Sequence, residues 1–238
     1  MIQFYAPDIA SSPVLGPEEA IHCVRVLRKK PGDEITVTDG RGKRYDCRIL
    51  KADTRSVPVE ILGEREVEKS WSYRITLAVA PTKNADRMSW LVEKATEIGV
   101  DEIIFLQCTR SERKNVNLER LRRNAVSAMN QSLKTRLPEL RETKGVESLS
   151  GLGGEKYFGY CDVSVERLEF VKELKPGADV VIVIGPEGDF SEDEVKKLAK
   201  SGYRPVTFGN ERLRTETAAL YGITAVHVIN DYIKHLKI

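Results

Sequence analysis

The residues with the most chemistry in this 238-residue chain lie in one stretch, Phe208-Gly209-Asn210-Glu211-Arg212-Leu213-Arg214-Thr215-Glu216-Thr217-Ala218. Arg212 and Arg214 flank a leucine, so they point to opposite sides if the segment is extended. A guanidinium there can bind phosphate or stabilise an anion as its proton leaves. It can equally form a salt bridge with Glu211 or Glu216. Glu216 falls early in the last helix, where a carboxylate either complements the helix dipole or holds a ligand. Gly209 and Asn210 suit a tight turn, and Thr215 is the expected N-cap. A second loop, Ile184-Gly185-Pro186-Glu187-Gly188-Asp189, has the same strand-loop-helix form. Two glycine loops ending neighbouring strands predict a pocket at the carboxyl edge of a parallel sheet. Neither loop matches G-x-x-x-x-G-K-[ST] or G-x-G-x-x-G, which disfavours a P-loop ATPase and the usual dinucleotide fold. Ile184, Phe208 and Leu213 are suitable apolar walls for a ring. Gly209 is expected to let the backbone approach a ligand closely.

The formal charge is only +2, so bulk charge does not announce nucleic acid, but the distribution says more. From Arg110 to Lys144 there are ten Lys/Arg against four Asp/Glu, and from His22 to Lys30 four basic residues and no acidic one. Separate basic patches on a near-neutral protein fit a directed polyanion contact, or else solvated helix faces. The residues expected to meet phosphates are His22, Arg25, Arg28, Lys29, Arg110, Arg122 and Arg123. If residues 22–29 are helical, His22, Arg25 and Lys29 share a face. Asn130-Gln131-Ser132 would cap RNA contacts, close the pocket, or simply face solvent. No metal site is expected: His22, His227 and His235 form no ligand spacing, and Cys23, Cys47, Cys108 and Cys161 form no C-x-x-C pair. No Ser-His-Asp or Cys-His arrangement can be argued. Free thiols, the lack of a secretory signal and the lack of a membrane span predict a cytoplasmic protein.

These residues must be positioned by two kinds of structure. Residues 1 to about 70 read as mostly β: Glu34–Thr38 alternates, Asp39-Gly40 signals a hairpin, and Tyr45–Leu50 and Val57–Leu62 alternate again. One short helix, opened by Gly16-Pro17-Glu18-Glu19, should precede them. A small barrel fits. A charged stretch, Glu64 to Ser72, marks the expected boundary. Beyond it, strands are predicted at 74–80, 102–107, 157–160, 180–184 and 206–208, and helices at 85–99, 117–134, after the Ser191–Glu194 capping box, and at 217–230. Alternating strands and helices predict a parallel α/β sheet.

The two loops also carry a resemblance. IGPEG at 184–188 and the RLRTETA run at 212–218 resemble the RsmE family of SPOUT methyltransferases. Further matches run in the family's order: His22–Arg28, Val92–Val100, Thr109-Arg110-Ser111 and Asn130-Gln131-Ser132. Two departures stand out. Asp189 replaces the family's usual second glycine, and Leu133-Lys134-Thr135 precede Arg136 where a small residue and then arginine are usual. The resemblance implies a PUA-like RNA-binding β-barrel over 1–70 and a SPOUT α/β domain with a trefoil knot over 73–238. It implies S-adenosylmethionine-dependent methylation of uridine N3 in 16S (small-subunit) ribosomal RNA by a homodimer. It sets the cofactor against Ile184, Gly185, Pro186, Glu187, Gly188, Phe208, Gly209, Asn210, Leu213, Thr215 and Thr217. Arg214 and Glu216 are the candidate catalytic residues. Which of an arginine and a carboxylate serves the N3 proton stays open, because a carboxylate matches a weakly acidic N–H poorly unless its own pKa is raised. The rivals are a SPOUT enzyme acting on tRNA or a ribose hydroxyl, and a non-catalytic ribosome-assembly protein that binds RNA.

Overall fold

A computed structural model describes residues 2–162 and 164–236, with side chains to Tyr232; the side chain of His235 lies outside them. The chain divides into two compact units, residues 1–71 with 126–137, and residues 72–125 with 138–238. Among the described residues no helix is long and apolar enough to cross a membrane.

The first unit is a curled five-stranded sheet of the PUA kind. It contains β1 (Gln3–Tyr5), β2 (Val14–Leu15), α1 (Pro17–Ile21), β3 (Glu34–Thr38), β4 (Lys43–Ile49) and β5 (Val57–Glu66), in the order β1-β3-β4-β5-β2. β1 runs parallel to β3, a long-range pairing that alternation does not disclose; the other pairs are antiparallel. Asp39 makes the β3–β4 hairpin by accepting from the amides of Arg41 (2.8 Å) and Lys43 (3.1 Å). Phe4, Val37, Tyr45, Cys47 and Val59 fill the interior. β5 continues to Glu66, into the start of the charged stretch expected to mark the boundary, where its charges pair with β4: Glu64 with Lys43 and Arg65 with Asp46.

Segment 126–137 joins this unit by hydrogen bonds. Gln3 Nε2 donates to the Lys134 carbonyl (2.6 Å), Arg44 Nη2 to the Leu133 carbonyl (2.6 Å), and Asn130 Nδ2 to Glu19 Oε1 (2.9 Å). Burial pushes the Glu19 carboxyl up to about 7. Asn130 thus serves the first unit, and the Ser132 hydroxyl donates to the Ala128 carbonyl (2.7 Å); neither residue lines the pocket described below.

The expected helical face of His22, Arg25 and Lys29 does not form. His22–Val26 is a π-helical turn, with the Leu27 amide donating to the His22 carbonyl (3.0 Å). An i→i+5 bond changes the angular spacing on which that face relied. Arg28 then takes a left-handed backbone (φ 54°), so Lys29 leaves the helix. His22, Arg25 and Arg28 are exposed and Lys29 is half-buried.

The second unit alternates strand and helix: β6 (Ile75–Val79), α2 (Ala85–Ile98), β7 (Glu102–Gln107), α3 (Leu118–Gln131), β8 (Glu139–Lys144), β9 (Glu155–Gly159), β10 (Leu168–Glu169), α4 (Phe170–Glu173), β11 (Val180–Ile184), α5 (Glu192–Lys200), β12 (Arg204–Thr207) and α6 (Thr215–Leu236). The C-terminal end of α3 belongs to the first unit. The sheet order is β10-β12-β9-β11-β6-β7-β8, and every pair is parallel. β11 is buried on both faces, which its β-branched run requires. Val181 and Val183 meet Phe158, Phe190, Leu198 and Tyr203, while α6 packs against β11 and β6 on the other side. Asn84 caps α2 by accepting from the Asp86 amide (2.8 Å), and Ser191 and Glu194 complete a capping box on α5. The edge strand β8 carries Glu-Leu-Arg-Glu-Thr-Lys and gives no apolar signal.

Glu102 on β7 is buried, and burial opposes its charge. Arg141 Nε (2.7 Å) and Arg74 Nη2 (3.0 Å) donate to it and hold its carboxyl below the usual range. A carboxyl depressed by folding adds stability above its unfolded pKa, and that stability is lost as pH falls through the folded value. Glu102→Gln should therefore melt below wild type at pH 7, and the gap should close below about pH 4, near the unfolded glutamate pKa. Melting temperatures across that range check this.

Candidate active site at the carboxyl edge of the parallel sheet

The loops that follow β6, β7, β9, β11 and β12 all emerge at the carboxyl ends of parallel strands. They are fastened to one another. Thr215 is the first residue of α6 rather than its N-cap, because the Ala218 amide donates to the Arg214 carbonyl (2.8 Å). Its buried hydroxyl instead donates to the Gly185 carbonyl (3.3 Å), joining the β12 loop to the β11 loop. Glu187 accepts from the Lys83 amide (3.2 Å) of the β6 loop. Arg110 Nη1, from the β7 loop, donates to the carbonyls of Gly188 (3.0 Å) and Phe190 (3.2 Å).

Two acidic side chains complete this frame. Asp189 has a left-handed backbone (φ 59°), a conformation that glycine takes at least cost. Here the carboxylate offsets that strain. Oδ1 accepts from the Phe190 amide (2.8 Å) and Oδ2 from the Cys161 amide (2.9 Å) on the β9 loop. Glu194 is buried, and burial works against its charge. Hydrogen bonds donated by Ser191 and the Thr109 amide (2.8 Å) nevertheless hold its carboxyl below the usual range.

Between these loops lies a cavity of about 980 Å³. Ile184, Gly185, Pro186, Glu187, Phe208, Gly209, Asn210, Leu213 and Thr215 line it, together with Arg214 and Glu216. Two residues expected there do not. Gly188 faces Arg110, whose Cβ lies 3.4 Å from a Cβ built on that glycine. Thr217 lies two residues along the helix from Thr215, so it turns to another face and lines an apolar groove with Trp90 and Tyr221. The Phe208 ring stacks edge-on with Phe170 (5.0 Å) and Tyr221 (5.7 Å). A Cβ at Gly159 would sit 2.8 Å from this ring, so Gly159 is what lets Phe208 form the wall. A Cβ built on Gly209 meets no protein atom within 4 Å, and its φ of 119° calls for glycine.

The alternative for Arg214, a salt bridge with Glu211 or Glu216, is not formed among the described residues. Glu216 pairs with Arg87 of α2 instead, Nε to Oε1 at 3.6 Å. Arg110 is exposed and spends one nitrogen on the loop. Arg122 and Arg123 are exposed on α3, with Arg123 paired to Glu119 (3.1 Å). Arg87 and Gly159 escaped sequence reasoning because no local pattern links them to the two glycine loops. Among the described residues no cluster of His, Cys, Asp and Glu could hold a metal ion.

Residues 69–227 match a family model described as the RNA methyltransferase domain, and residues 15–62 match one described as the RNA methyltransferase PUA domain. The chain belongs to the ribosomal RNA small subunit methyltransferase E (RsmE) family. A relative of that name from Aquifex aeolicus is 30% identical over 91% of this chain and 95% of its own length. The solved structure of a probable rRNA-methyltransferase from Porphyromonas gingivalis is 41% identical, with a TM-score of 0.92 over 98% of this chain and 100% of that one. A Neisseria gonorrhoeae ribosomal RNA small subunit methyltransferase E bound to S-adenosyl methionine is 28% identical, with a TM-score of 0.81 over 96% of this chain and 98% of that one.

The double role of Asp189 is testable. Asp189→Gly keeps the left-handed turn and loses two hydrogen bonds, and should cost about 1–2 kcal/mol. Asp189→Ala loses the bonds and strains the backbone, and should cost about 1 kcal/mol more. Urea denaturation of the two variants measures the difference.

Proposed function

We propose that this protein transfers a methyl group from S-adenosylmethionine to N3 of a uridine in 16S ribosomal RNA, within the cytoplasm. The observation that carries the reading is one cavity that brings together glycine-loop backbone, the apolar walls Ile184, Phe208 and Leu213, and the side chains of Arg214 and Glu216. The first two suit an adenosyl group, and the last two suit a base. About 980 Å³ is at the upper end of small-ligand sites, enough for a cofactor beside a nucleotide. The Neisseria relative's bound ligand supports the same choice of cofactor. The trefoil knot and the limits 1–70 and 73–238 belong to this reading too, resting on the resemblance.

S-adenosylmethionine supplies an already activated methyl, so the protein needs neither a metal nor a covalent nucleophile. What remains is to remove a weakly acidic proton and hold the base. Arg214 is exposed at the cavity and without an ion pair among the described residues, so its charge is available to the uridine anion as the proton leaves. Glu216 accepts that proton. Ile184, Gly185, Pro186, Glu187, Phe208, Gly209, Asn210, Leu213 and Thr215 hold the cofactor. Gly188 and Thr217 support them from behind. His22, Arg25, Arg28, Lys29, Arg110, Arg122 and Arg123 meet RNA phosphates.

A second copy of the chain is the proposed partner. Trp90, Val171, Leu220, Tyr221, Ala225 and Val228 form an apolar groove along α6, with Val228 57% and Tyr221 41% exposed. Such a patch marks an interaction surface. Val228→Glu should shift the protein to monomer in sedimentation velocity.

Arg214 carries the test of function. A group needed as charge develops lowers kcat more than it raises KM. Arg214→Ala should keep the melting temperature and the calorimetric affinity for S-adenosylmethionine while losing roughly 100-fold or more in single-turnover rate. Arg214→Lys should recover only part, since an ammonium lacks the planar fork. A destabilised Arg214→Ala with near-normal turnover at low temperature would end the assignment.

A further inference from the structure

Glu216 is the point at which the cavity leaves a buried polar atom unused. Its residue is only 6% exposed. Oε1 faces Arg87 Nε at 3.6 Å, while Oε2 is shut away from solvent with no hydrogen-bond partner among the described residues. A few other buried side-chain atoms are also unpartnered, on Gln3, Glu19, Arg44, Ser89 and Asn130. None of those residues lines the cavity, and Glu216 does. A buried carboxylate oxygen with no donor is unfavourable in the free protein. It is satisfied once a ligand N–H arrives.

Arg87 explains why the site tolerates this. It enters from the first turn of α2, and its side chain is about one-third exposed beside the cavity. Among the described residues the guanidinium is the ion-pair partner of the buried carboxylate. The 3.6 Å contact fixes one end of the carboxylate. The contact engages Oε1 alone, and Oε2 is left without a donor among the described residues.

We propose that Arg87 is a positioning residue for the methyl transfer: by pairing with Oε1 it holds the Glu216 carboxylate at the cavity wall in the orientation from which the carboxylate accepts the uridine N3 proton. This rests on the reading of Glu216 as proton acceptor. In that step the N3–H bond breaks, its electron pair stays on nitrogen, and the proton goes to the Glu216 carboxylate. The N3–carbon bond then forms as the carbon–sulfur bond breaks, with its pair remaining on sulfur. Arg87 gains and loses nothing. It acts entirely through Glu216, and that dependence separates it from a residue touching RNA or cofactor directly.

The experiment is a double-variant cycle on the full-length protein with small-subunit RNA. Arg87→Ala, Arg87→Lys, Glu216→Gln and the Arg87→Ala/Glu216→Gln pair are compared. Single-turnover rate, calorimetric affinity for S-adenosylmethionine and melting temperature are measured on each. Arg87→Ala should slow turnover roughly 10- to 100-fold while cofactor affinity and melting temperature stay near wild type. Arg87→Lys should recover part of the rate, since a single ammonium still pairs with Oε1. In the Glu216→Gln background, Arg87→Ala should change the rate less than about twofold, because residues acting as a unit are not additive. An equal loss in both backgrounds would show that Arg87 acts independently of Glu216 and overturn the proposal. So would a melting temperature that falls in step with the rate in both Arg87 variants. A slow Glu216→Gln with a fast Arg87→Ala removes the positioning role alone. A Glu216→Gln with wild-type turnover removes the proton-acceptor reading on which it rests.

Discussion

The site depends on one buried hydrogen bond, from the Thr215 hydroxyl to the Gly185 carbonyl. Thr215 opens α6 and Gly185 follows directly on β11, so this contact fixes the start of the last helix against the central strand. Everything else at the carboxyl edge follows from that register. Leu213 and Arg214 come to the cavity because the chain must reach Thr215 from β12 across it. Glu216 is buried beside Arg87 because it is the next residue of a helix whose packing against β6 and β11 is already set. A buried hydroxyl with a good acceptor stabilises modestly, but one left without an acceptor is costly, so the arrangement is specified more by the penalty of breaking it than by the gain of making it.

A second regularity is the use of acids as acceptors for backbone amides. Glu187 takes the Lys83 amide, Asp189 those of Phe190 and Cys161, and Glu194 those of Thr109 and Ser191. Each ties a loop to a neighbour. For Glu194 these bonds favour the charged form and hold its carboxyl below the usual range, which makes it a poor base. Glu216 differs from them in its partners: Oε1 faces Arg87, and Oε2 is buried with no hydrogen-bond partner among the described residues. The division of labour among carboxylates of similar type is therefore set by hydrogen bonding.

Much of this was legible in the sequence, for physical reasons. β11 announced itself by a continuous β-branched run, α5 by its capping box, and α2 by its apolar spacing and terminal Gly99. The glycine loops were legible because turn residues are local signals. Pairings distant in sequence were not. The strands β1 and β8 lie parallel to distant partners, and β8 is a polar edge. The return of 126–137 to the first unit depends on side-chain bonds to Gln3, Glu19 and Arg44 that have no sequence pattern. The π-helical turn at His22–Val26 defeated a face drawn at 3.6 residues per turn. Asp189 read as a departure from the family's glycine. Its φ and its two hydrogen bonds explain how an aspartate occupies a glycine's conformation. Arg87 and Gly159 could be found only once the strands were laid side by side.

The most direct test is the position of the methyl group. Small-subunit RNA lacking the modification is incubated with the protein and methyl-labelled S-adenosylmethionine, digested to nucleosides and analysed by mass spectrometry. The account predicts label in 3-methyluridine, about one per RNA, accumulating far more slowly when Arg214 is alanine. Label on a ribose hydroxyl, on another base or only on transfer RNA would contradict it.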